Sequence, residues 1–169
     1  KNLISTNYGK IGLNSKGNNI LDNTNNLKSR IINDISFKMN EKIFNNWGLK
    51  NNFNIFFKNL NSVGKNVSNY KSSPQIELQS LIELNSELPL IKITETNSQF
   101  LIPRLSIRLN PGDMKDHSNS EREINMNNIF DINRLGVDDS FESGNSLTLG
   151  IDYKKENENN EENYLEIKL

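Results

Sequence analysis

The sequence has no cysteine and a single histidine, so neither a disulfide nor a thiolate metal site can form, and the redox compartment is left open. Long apolar runs are missing too. None approaches the roughly 20 residues of a membrane-spanning helix, which excludes a helical membrane protein. A membrane β-barrel stays open, because its strands need only about 9–11 alternating residues each. No signal-peptide pattern is visible at Lys1, and the lack of an initial Met makes the chain readable as a piece of something larger. Neither charge sign dominates: 20 Lys+Arg stand against 21 Asp+Glu, so there is no overall basic excess to neutralise a phosphate backbone, and nucleic acid is not an expected partner.

Hydrophobic residues make up 34 % of the chain and the mean hydropathy is -0.68, low for a globule that must bury a core. The apolar residues are nevertheless patterned, which argues against disorder. About a fifth of all residues are Asn, mostly in NN or N-x-N clusters suited to turns. From Phe100 to Asn110, Leu105, Ile107 and Leu109 alternate with Arg104, Ser106, Arg108 and Asn110, a period of two that sorts aliphatic groups to one face and polar groups to the other.

The same alternation recurs along the chain. A weak strand is expected over Asn2–Leu13, then a hairpin connection over Ser15–Asn26. Runs over Leu27–Phe44 and Trp47–Leu60 form an expected antiparallel pair, followed by a polar loop over Asn61–Ser73. After Pro74 the run PQIELQSLIELNSEL fits a strand along nearly its whole length, with a short amphipathic helix as the rival. Further strands are expected over Phe100–Asn110, Ile124–Leu135 and Asn145–Tyr153, with loops over Pro111–Glu123 and Lys155–Asn163 and a last strand from Tyr164. The sum is an all-β, antiparallel meander of about eight long strands over residues 1–169 with no internal domain boundary. Strands of ten or more residues exceed the usual five or six of soluble sheets and are long enough to be part of a transmembrane barrel.

Chemistry-bearing clusters are few. His117 sits among Asp113, Lys115, Asp116, Ser118 and Ser120, but without a second His or any Cys it reads as a solvated loop residue. No GxSxG turn is present, and Ser140, Ser143 and Ser146 read as turn serines. Asp138, Asp139 and Glu142, and separately Glu156, Glu158, Glu161 and Glu162, lack the spacing of a calcium loop and read as solvated acidic loops. Arg104, Arg108 and Arg134 are more informative. On the polar face of long strands they would project into a lumen, where Glu142 or Asp131 could pair with them. No catalytic residue, metal site or cofactor is expected.

The ordered combination of PR, NPGDM, NRLG, DxFExG and SLTLG within Pro103–Lys115 and Asn128–Glu156 resembles the barrel domain of the outer-membrane LPS-assembly protein family (LptD, or organic solvent tolerance protein), in its alphaproteobacterial branch. The likeness extends more loosely through Asn51–Asn66 and Tyr70–Leu90. It implies a middle portion of a large antiparallel barrel that delivers lipopolysaccharide to the outer leaflet of a Gram-negative outer membrane. The implied partners are a plug lipoprotein and periplasmic bridge proteins. It marks Pro103, Arg104, Arg108, Pro111, Gly112, Asp113, Asn133, Arg134, Gly136, Asp139, Glu142 and Gly144 as motif residues with lumenal or structural roles. The readings left beside it are another outer-membrane barrel, a porin or receptor, and a soluble β-sandwich binding module.

Overall fold

The computed structural model describes residues 2–44, 46–68, 70–114, 123–157 and 160–168. They form one antiparallel sheet of ten strands: β1 (Asn2–Ser5), β2 (Gly9–Asp22), β3 (Asn26–Met39), β4 (Lys42–Phe44), β5 (Leu49–Lys65), β6 (Gln75–Glu87), β7 (Leu90–Ile93), β8 (Asn97–Asn110), β9 (Gly144–Asn157) and β10 (Asn160–Lys168). The main path runs β1-β2-β3-β5-β6-β8-β9-β10, with β4 on β5 and β7 on β8. Each pairing joins consecutive strands or skips only the short β4 or β7, so the all-β meander expected from the alternation is present, and among the described residues there is no helix. The sheet is open, since β1 and β10 do not pair.

The strand total exceeds eight, although one expected strand is absent, because two expected runs are split and a third is followed by the extra strand β7. Thr6 turns the chain between β1 and β2, its hydroxyl donating to the Gly9 carbonyl at 3.0 Å. The ladder shifts by one residue between β3 and β4, where Lys38 faces Asn54 but Lys42 faces Asn51. Between β6 and β7 the register is unbroken, from Glu87 opposite Arg104 to Leu90 opposite Leu101, and only Pro89, which has no N–H, interrupts the strand. The helix considered for Gln75–Glu87 is absent. Residues 15–22, expected in the hairpin connection, belong to β2, and the turn itself is Asn23–Asn25, with Asn23 and Thr24 both at positive φ and the Asn25 N–H donating to the Asp22 carbonyl. That is the twist-matched hairpin geometry Asn tolerates.

Two expectations are overturned. Ile124–Leu135 is not a strand but a series of turns, because the side chains of Asn125 and Asn128 bind nearby backbone in place of a ladder partner. Lys155–Asn163 is not a loop: β9 continues to Asn157 and β10 begins at Asn160, so the alternation of Lys154 with Glu156 outweighed the acidic composition. His117 and its neighbours from Lys115 to Ser120 lie outside the described residues.

Burial is inverted relative to a soluble sheet. Among the described residues twelve polar or charged side chains are buried and only six apolar ones. One face carries Ile31, Ile35, Phe57, Ile76, Leu78, Leu147 and Leu149, all exposed, and the registers of β2 through β9 place these on a single side. The opposite face carries Asn54, Lys58, Gln79, Glu83, Ser106 and Arg108, all buried. What covers it is the chain between β8 and β9: residues 123–143 fold back across the sheet as a strap. A small apolar cluster of Ile32, Leu60 and Tyr70, with Val67, lies on the same covered face.

Candidate functional site

The covered face is where the sequence places its charged groups, and strand register aligns them. Glu83 on β6 faces Arg108 on β8, and Asn54 on β5 faces Glu83 from the other side. The Asn54 amide donates to Glu83 Oε2 at 3.0 Å, and Arg108 Nε lies 3.8 Å from Glu83 Oε1. Glu83 is 1 % exposed and Arg108 3 %, so both charges have left water and depend on one another.

The strap completes this network. Arg134 donates from Nε and Nη2 to the two carboxylate oxygens of Glu142 at 2.8 and 2.7 Å, a fork that fixes both side chains. Its guanidinium also reaches Ser146 and Thr148 on β9, at 3.1 and 3.4 Å. Arg108 donates to the Ile132 carbonyl and lies 3.8 Å from Glu142. Asn110 closes the end of β8 by donating to the Glu142 carbonyl at 2.7 Å.

Across the sheet, Asp139 accepts from the Tyr70 hydroxyl at 2.6 Å and pairs with Arg30 at 3.5 Å. Lys58 joins Asp34 at 2.6 Å and the Asp138 carbonyl at 2.7 Å. Gln79 uses both ends of its amide, donating to the Asp139 carbonyl and accepting from the Phe141 N–H at 2.8 Å. Burial, with the bond to Asp139 adding to it, pushes the Tyr70 hydroxyl up to about 12, so it remains a donor at neutral pH.

The motif residues divide into three groups. Arg108, Arg134 and Glu142 meet on the covered face, with Asp139 on the same face beside Tyr70 and Arg30, but Arg134 lies on the strap and not on a strand. Arg104 also faces this side, further along β8, where it pairs with Asp152 at 2.8 Å. Asn133 and Gly136 shape the strap: the Asn133 side chain clasps Val137 through both its N–H and its carbonyl, and Gly136 supplies the positive φ of the turn.

Pro103, Pro111, Gly112, Asp113 and Gly144 stand apart from the network. Pro103 sits on the bare face and its carbonyl accepts from Leu88, Gly144 begins β9 at positive φ, and the Gly112 N–H donates to Asn110 Oδ1. Pro111 and Asp113 are exposed where the chain leaves β8. The acidic turn expected to be solvated is instead an anchor, for Asp139 is 3 % exposed. Ser146 likewise is a β9 residue that accepts from Arg134 and no turn serine.

Glu83, Lys58 and Gln79 lie within expected strands, but their roles needed the register. Tyr70 and Arg30 carried no signal, because their partner Asp139 is 69 and 109 residues away. Among the described residues no group of His, Asp and Glu could hold a metal ion. The arrangement is one of paired charges and hydrogen-bonded amides along a polar wall.

These features define the chain by class as an antiparallel β-meander with a bare apolar face and a strapped, charged one. No family model, curated protein or solved structure matches it.

Proposed function

We propose that the chain is a wall segment of a transmembrane β-barrel in a Gram-negative outer membrane, and that the barrel is the lipopolysaccharide-assembly translocon. The observation that carries the first step is the inverted burial. A soluble β-sandwich hides its apolar face and wets its polar one, whereas here Leu78 and Leu149 are 77 % and 71 % exposed while Glu83 is 1 % exposed. Lipid is the solvent that suits such a face. Six strands of 13 to 17 residues are each longer than the ~30 Å hydrocarbon core at about 3.3 Å per residue. The exposed aromatics Tyr8, Phe44 and Trp47 cluster in connections at one sheet end, where an interfacial belt would sit.

That end also carries the connection between β9 and β10, while residues 111–143 leave from the other. On this reading the short turns mark the periplasmic side, and the long connection between β8 and β9 faces the outside. The translocon itself is supported by the ordered motifs, of which NRLG and DxFExG supply the Arg134–Glu142 clamp. A polar wall for a charged sugar head and a lipid-facing exterior suit an amphipathic cargo; the plug lipoprotein and bridge proteins are partners on the same reading.

Site-specific photo-crosslinking in cells tests both steps. A photoreactive residue at Asn18, exposed on the polar side of β2, should capture lipopolysaccharide and one at Leu149 phospholipid. Capture of neither lipid at Leu149 sinks the barrel. Steady ion conductance without capture at Asn18 favours a porin.

A further inference from the structure

On the covered face of β2 and β3, Lys10 stands directly opposite Lys38. Directly opposed like charges destabilise a strand pair. Among the described residues no carboxylate forms an ion pair with either ammonium. Lys38 Nζ lies 5.8 Å over the Phe56 ring, and both lysines are exposed. The next row pairs Gly12 with Ser36, and the one after pairs Asn14 with Asp34.

Gly12 puts no side chain on the floor beside the two ammonium groups, and Ser36 and Asn14 offer neutral donors there. Asp34 is already engaged by Lys58 at 2.6 Å. Asn133, Val137 and Phe141 of the strap form the facing wall, enclosing a groove of about 260 Å³. Lys16 lines its far end, 3.9 Å from Asp138. Among the described residues the groove lining carries Lys16, Lys38 and Lys58 against Asp34 and Asp138, and Lys10 stands beside it opposite Lys38, a local cationic excess in a chain whose overall charge is near zero.

We propose that this groove binds a phosphate-bearing anion through Lys10, Lys38 and Ser36. An anion between the two ammonium groups converts their repulsion into two charge-assisted contacts. Its source is the phosphorylated headgroup of a glycolipid cargo or a free phosphate. The first rests on the translocon reading and the second does not.

The test uses the full chain refolded in zwitterionic detergent micelles, with amide shifts of Gly12 and Ser36 as the readout. Three probes are titrated: a diphosphorylated glucosamine-disaccharide glycolipid, the same glycolipid dephosphorylated, and inorganic pyrophosphate. Saturable shifts are expected with the first and none with the second. The K10Q/K38Q variant should bind at least about tenfold more weakly, with K10R/K38R restoring affinity and K92Q unchanged.

Pyrophosphate binding as tightly as the glycolipid assigns the groove to free phosphate; tighter glycolipid binding assigns it to the headgroup. Equal binding of the dephosphorylated glycolipid, or unaltered affinity in K10Q/K38Q, overturns the proposal. In phosphate-free buffer K10Q/K38Q should also unfold at a higher midpoint than the parent, since a repulsion has been removed; a lower midpoint overturns the like-charge argument. Crosslinking of Leu149 to phospholipid is read separately, so loss of the barrel reading and loss of the anion site are distinguishable.

Discussion

At the scale of single residues, two side chains hold most of the strap's specificity. Arg134 is 7 % exposed and bound to both oxygens of Glu142. Its replacement by Ala removes the fork but leaves Glu142, about a quarter exposed, with Arg108 still 3.8 Å away, so the loss is about 1.5–3 kcal/mol, below that of a fully buried pair. Urea unfolding in micelles should show that loss for Arg134→Ala, and much of it for Arg134→Lys, which keeps the charge but not the fork. Tyr70 gives a pH signature. Its folded value is raised to about 12 from the ordinary 10, so the unfolded chain releases this proton first as pH rises. The contribution is whole below pH 10 and is lost as pH climbs towards 12. A stability profile across that window should fall for the parent chain and flatten for Tyr70→Phe; identical profiles would remove Tyr70 from the account.

At the scale of elements, the alternation made most strands legible, because a period of two is a local property and needs no partner to be seen. The polar face named from Arg104 and Arg108 is the one that the registers extend to Asn54 and Lys58. Legibility failed where local side-chain chemistry competes with pairing, as at Asn125–Asn128, and where composition disguised a strand, as at Lys155–Asn157. Under the bilayer reading the two faces of β9 respond oppositely to charge. Leu149→Lys places an ammonium against hydrocarbon and should cost about 2–4 kcal/mol in lipid vesicles. Ser146→Asp, on the covered side, sets its charge beside the Arg134 guanidinium and should cost far less there. Equal costs would indicate that no lipid contacts the bare face.

At the scale of the whole molecule, sheet and strap are two layers of unequal legibility. The sheet follows from neighbouring segments, whereas the strap's docking depends on groups far apart in the chain, so no window of sequence could reveal it. The strap should govern access to the polar wall. Ser106 is 1 % exposed, and a Ser106→Cys variant should react slowly with a water-soluble thiol reagent. Replacing residues 124–142 by a Gly-Ser linker of equal length should speed that reaction at least about tenfold, since exchange with the open state no longer limits it. An unchanged rate would mean that something other than the strap shields β8. The separations spanned by the strap's bonds also set an order of events during folding. Each hairpin of the meander closes a short loop, while Lys58 to Asp138, Tyr70 to Asp139 and Arg30 to Asp139 close loops of 80, 69 and 109 residues. Loop closure slows as contacts become less local. The strands therefore zip first and the strap latches last, leaving an interval in which the charged wall is open to water and to whatever anion is present.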